Sequence, residues 1–101
     1  MKRIIDGKRY DTQTATAIAS DQGGGGKTDF SHWHETLYRT QNGAWFIHGQ
    51  GGAMSRWSEP AYPNGRQGGE GILPLTDELA QEWLTVHANQ LVESFFDVTD
   101  A

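Results

Sequence analysis

The residues His32-Trp33-His34-Glu35-Thr36-Leu37-Tyr38-Arg39-Thr40, then Gln41-Asn42-Gly43, then Ala44-Trp45-Phe46-Ile47-His48 decide the fold. Aromatic and β-branched runs suit a pleated, half-buried surface, and Asn-Gly supplies the positive φ angles of a tight reversal, so the stretch predicts an antiparallel hairpin. Two registers are open. A two-residue Asn42-Gly43 loop pairs Leu37 with His48 and turns His48 away from His34. A three-residue Gln41-Asn42-Gly43 loop pairs Thr36 with His48 and puts His32, His34 and His48 on one face. In the second register three imidazoles form a conceivable zinc site; the plainer alternative is ordinary histidines in an aromatic strand.

Working outward, Lys2 to Tyr10 predicts a second short hairpin, turned by Asp6-Gly7. Asp11 then reads as the cap of a short helix of small residues from Thr12 to Ser20. Four consecutive glycines, Gly23 to Gly26, make residues 21–28 a flexible loop. Residues 49–71 are rich in glycine and hold two of the three prolines, which predicts a long irregular loop, packed through Met54, Trp57 and Tyr62. Ile72-Leu73 adds a short strand. Thr76 caps a helix from Asp77 to about Asn89 whose Leu79, Trp83 and Val86 follow helical spacing, as do Leu84 and Leu91 further round, with a further turn or short helix over 91–96. The expected fold class is α+β: a small antiparallel sheet of two hairpins covered by a long C-terminal helix and a short N-terminal helix, forming one domain over 1–101.

Composition narrows the function classes. The 101 residues suit one domain, and the absence of cysteine removes disulfides, thiolate nucleophiles and thiolate metal sites. There is no apolar run of membrane-spanning length, and no apolar stretch follows Lys2-Arg3, so a cytoplasmic protein is expected. Net charge is −5. Residues 1–10 are basic, whereas 76–101 carry Asp77, Glu78, Glu82, Glu93, Asp97 and Asp100 with no lysine or arginine. Such a surface repels phosphate, which argues against direct nucleic-acid binding and for a basic partner surface, although an acidic helix face also simply solvates a small protein.

The catalytic motifs fail on inspection. Gly23 to Thr28 ends in Gly-Lys-Thr, but a phosphate-binding loop needs glycine where Asp21 stands, and a buried apolar strand before it. Ser31, Ser55 and Ser58 have no nucleophile-elbow context. No cofactor is implied. The aromatic richness either compensates for few aliphatic residues or forms an anchor patch; in the second case Met54, Arg56, Trp57 and Tyr62 are residue types enriched at interfaces, and Glu78 and Glu82 supply the acidic contribution.

The order of segments resembles a family of small proteins carried by phages and other mobile elements, some of them anti-CRISPR proteins. The resembling residues are Ile4-Ile5-Asp6-Gly7-Lys8-Arg9-Tyr10-Asp11-Thr12, Glu35-Thr36-Leu37-Tyr38-Arg39-Thr40, Trp45-Phe46-Ile47-His48-Gly49, Gly51-Gly52-Ala53-Met54-Ser55-Arg56 and Gly68-Gly69-Glu70-Gly71-Ile72-Leu73-Pro74-Leu75-Thr76. This chain departs from the family pattern in its glycine run, in Leu79 and in the tail from Leu91. The resemblance implies a non-enzymatic inhibitor that binds a CRISPR-Cas effector, a Cas9-type nuclease first, in the host cytoplasm. A histidine-based metal protein, or a regulatory mobile-element protein without a defence target, is the alternative.

Overall fold

The computed structural model describes residues 1–25 and 29–101. Its centre is the predicted hairpin, β4 (Trp33–Arg39) and β5 (Trp45–Gly51). Thr36 pairs with His48 and Arg39 with Trp45, so the connection is the longer of the two loops, with Gly43 at φ 88°. β3 (Thr16–Gly23) and β8 (Gly69–Leu75) complete an antiparallel sheet of order β3-β4-β5-β8. A separate ribbon, β1 (Lys2–Ile5) with β2 (Lys8–Asp11), turns through Asp6 and Gly7, both at positive φ as a tight hairpin requires. A second ribbon, β6 (Glu59–Pro60) with β7 (Arg66–Gln67), lies within the span read as irregular. Residues 49–71 therefore comprise the end of β5, this ribbon and the start of β8.

The expected N-terminal helix is a strand. Asp11 does cap: its Oδ1 accepts from the Gln13 amide at 2.9 Å and its carbonyl from the Ala15 amide at 3.0 Å. One turn later the chain leaves for β3, whose ladder with β4 runs from Thr16 opposite Arg39 to Gly23 opposite Trp33, with a bulge between Ala17 and Ala19. A helix of threonines and alanines has little apolar surface to bury, whereas an edge strand gains a full ladder and seats Ile18 and Ala19 against the core. Asp21 to Gly23 belong to this strand, so the predicted 21–28 loop begins later; Gly24 and Gly25 turn at positive φ, and residues 26–28 lie outside the described ones.

α1 (Asp77–His87) has Thr76 as its N-cap, with the hydroxyl accepting from the Leu79 amide at 3.2 Å. It spans 11 residues, shorter than the expected helix, and a 3₁₀ turn (Asn89–Leu91) and α2 (Val92–Phe95) follow. Among the described residues no helix is long and apolar enough to cross a membrane. α1 lies on the sheet face carrying Leu37, Trp45 and Ile47, and buries Ala80, Trp83 and Leu84 there. The buried stripe is thus Ala80-Trp83-Leu84, not Leu79-Trp83-Val86; Leu79 and Val86 stand exposed along the helix flank. Phe95 and Phe96 close the core over the Trp45 ring, edge-on at 5.7 Å and stacked at 5.5 Å. On the opposite face Tyr10 of the first ribbon packs edge-on against Phe46 at 5.6 Å.

Four glycines on the helix-side face make room for the loop after β5. Gly49 pairs with Gly71 and Gly51 with Gly69, which leaves a square of sheet without side chains. The returning chain lies in it: a Cβ at Gly49 would overlap the Trp57 indole, one at Gly51 the Ser55 side chain, and one at Gly69 the Trp57 backbone. A Cβ at Gly71 would meet Trp57 at an ordinary 3.5 Å. Gly49→Ala is therefore expected to cost about 2–3 kcal/mol through overpacking, lowering Tm by roughly 10 °C or more. Gly71→Ala, directly opposite, should melt within a few degrees of the parent. Calorimetry of the pair checks this, and equal melting would refute the seated indole.

Candidate functional site

Glu35 points from β4 toward α1 and is 5% exposed. A carboxylate in that position needs donors for both oxygens, and it has four. Arg56 donates through Nε to Oε2 at 2.7 Å and through Nη2 to Oε1 at 2.8 Å. The Trp57 indole donates to Oε2 at 2.8 Å and the Trp83 indole to Oε1 at 2.9 Å. One side chain thus fastens the loop after β5 and the helix α1 to the same strand. Burial pushes the Glu35 carboxyl up, but the hydrogen bonds from Arg56, Trp83 and Trp57 and the Arg56 charge outweigh it and hold it below its ordinary 4.5.

Fastening loop and helix side by side leaves a groove of about 500 Å³ between them. Trp33, Ile47 and Leu75 of the sheet, Leu79, Glu82, Trp83, Val86 and His87 of α1, and Met54, Ser55 and Arg56 of the loop line it. Its rims are apolar and open: Met54 is 75% exposed, Val86 72% and Leu79 48%. Phe30, also exposed, is tied beside Met54 by the Met54 amide, which donates to the Phe30 carbonyl at 2.8 Å. At one end, His87 packs against Trp83 at 4.5 Å and Trp33 at 5.5 Å between ring centroids. Its Nδ1 bonds Asp21 of β3 at 2.8 Å, and that bond, with the Gln22 amide, holds the Asp21 carboxyl below its ordinary value.

Of the residues singled out from sequence, Met54, Arg56 and Glu82 come together here. Trp57 lies beneath the loop, half-buried, as a fastening rather than a rim. Glu78 is exposed on α1, one turn before Glu82, outside the lining. Tyr62 is fully out in solvent between β6 and β7 and belongs to no shared surface with the others. Sequence reasoning missed Phe30, Leu79 and Val86 as surface groups and Glu35 as their organiser. A glutamate amid Trp, Leu and Tyr in a strand was the available signal for Glu35.

The histidines do not converge. The register places His34 and His48 on one face, but His48 bonds Glu70 at 2.7 Å and His32 Nδ1 faces the Asp29 carbonyl at 2.8 Å. Among the described residues no three potential ligands are grouped around a common point. No protein-family model, curated protein or solved structure matches this chain.

Glu35→Gln removes the charge and turns an NH₂ toward two donors, and is expected to cost about 2–4 kcal/mol at pH 7. Because the folded carboxyl titrates below its ordinary value, its stabilisation is complete above that value and is lost as pH falls through the folded one. The gap between parent and variant, measured by urea unfolding, should therefore be full above 4.5 and shrink progressively as pH falls below it. A gap independent of pH would show that Glu35 is not ionised in the fold.

Proposed function

We propose that this chain is a non-enzymatic inhibitor carried by a mobile element, an anti-CRISPR protein acting in the host cytoplasm. It binds a CRISPR-Cas effector protein, of the Cas9 type first, and blocks its nucleic-acid binding or cleavage without itself contacting nucleic acid. The observation that carries the binding role is the groove between α1 and the loop after β5, with exposed Met54, Leu79 and Val86 along its rims. Large apolar groups held in the open around a concavity are what a protein interface uses for its central contacts.

The target class rests on charge and on the resemblance in segment order to the mobile-element family. An RNA-guided nuclease holds its heteroduplex in a positively charged channel. Glu78 and Glu82 lie on the exposed flank of α1 and meet such a surface with complementary charge, whereas Lys2, Arg3, Lys8 and Arg9 sit on the separate first ribbon. The acidic flank then governs encounter, and the groove governs how long the complex lasts.

Binding to guide-loaded effectors, followed in real time at two salt concentrations, tests this. Val86→Asp and Met54→Ala touch only exposed side chains; each should leave Tm unchanged and speed dissociation about tenfold or more. The double variant Glu78→Lys, Glu82→Lys should associate more slowly and with flatter salt dependence. A folded parent protein that captures no effector would instead favour a regulatory role without a defence target.

A further inference from the structure

We infer that the groove is built to seat an arginine side chain of the bound protein, with Glu82 as its counter-charge; this rests on reading the groove as the protein-binding surface. Trp33 and His87, both partly exposed, offer ring surface within it, and the buried Trp83 ring backs His87 at 4.5 Å between centroids. An indole face attracts a cation placed over it, and the flat, weakly hydrated guanidinium stacks there better than a lysine ammonium does.

Charge within the groove decides against other occupants. Arg56 is neutralised by its paired bonds to Glu35, whose four acceptor positions are all used. Among the described residues Glu82 has no ion-pair partner, and the Asp21 carboxylate lies behind His87. The groove is therefore net negative. An anionic ligand meets Glu82 with like charge, and a purely apolar segment desolvates that carboxylate without replacing its hydrogen bonds. A guanidinium satisfies it through two parallel N–H donors, and the apolar rim of Leu79 and Val86 covers the stem. The groove exceeds one side chain in volume, so apolar neighbours of the arginine rest against Met54.

Capped pentapeptides with leucine flanking a central arginine, lysine or citrulline test the inference, because citrulline keeps the shape of arginine and lacks its charge. Binding is read from tryptophan fluorescence and from the indole N–H resonances of Trp33 and Trp83. The arginine peptide should bind saturably, with citrulline weaker by about tenfold and lysine between them. Glu82→Gln should markedly reduce that preference, leaving the part due to the aromatic rings, whereas Glu78→Gln, outside the lining, should keep it in full. Equal binding of arginine and citrulline peptides, absence of saturable binding, or an unaltered preference in Glu82→Gln would each overturn the inference. If the arginine peptide binds with this preference but no effector is captured, the inhibitor reading fails and this one stands. If effectors bind parent and Glu82→Gln alike, the inhibitor reading stands and this one fails.

Discussion

A carboxylate buried between a sheet and a helix keeps its charge only if each oxygen finds donors, and Glu35 obtains four from three different residues of the chain. Arg56 and Trp57 arrive from the loop after β5, and Trp83 from α1. Apolar packing alone would hold α1 to the sheet through Leu84 and Ala80 but would not fix where the loop lies. The directional bonds to Glu35 set that position and therefore the width of the groove. Such a network is costly to leave half-satisfied, so its members act together.

The glycine square is the steric counterpart of this electrostatic constraint. Trp57 reaches the Glu35 carboxylate only by lying against the sheet, which requires side-chain-free positions at Gly49 and Gly69, while Gly51 makes room for Ser55 of the same loop. Four glycines on two adjacent strands weaken those strands intrinsically. The seated indole and its hydrogen bond offset that weakness, and β5 and β8 hold a complete ladder across the square. The loop thus lies beside α1 on the same face, covering one end of the sheet, and its outer residues, Met54 above all, are held out toward solvent.

The hairpins and the helix α1 were legible because their signals are local. Asp6-Gly7 and Asn42-Gly43 fix reversals through φ, and Thr76 with Asp77 and Glu78 marks a helix start. Residues 12–20 misled because Asp11 is a true cap whose helix lacks an apolar face, and the choice between helix and edge strand rests with β4, far along the chain. The stripe Leu79-Trp83-Val86 misled for a related reason: helical spacing gives a face but not its centre, and the sheet selects Ala80, Trp83 and Leu84. The site was half legible. Met54, Arg56 and Glu82 carry interface-type chemistry in their residue types, whereas Glu35 becomes an organiser only when residues 21, 22 and 48 positions away fold onto it.

The molecule is a thin sheet with a basic ribbon at one place, an acidic helix flank at another, and a groove whose shape depends on one buried anion. Amide hydrogen exchange in the parent and in Glu35→Gln, at a pH where both remain folded, tests that dependence most directly. The account predicts that the loop amides of Met54 and Ser55 lose protection in the variant while β4 and β5 keep theirs. Unchanged protection of those amides, or uniform loss across the sheet, would contradict it.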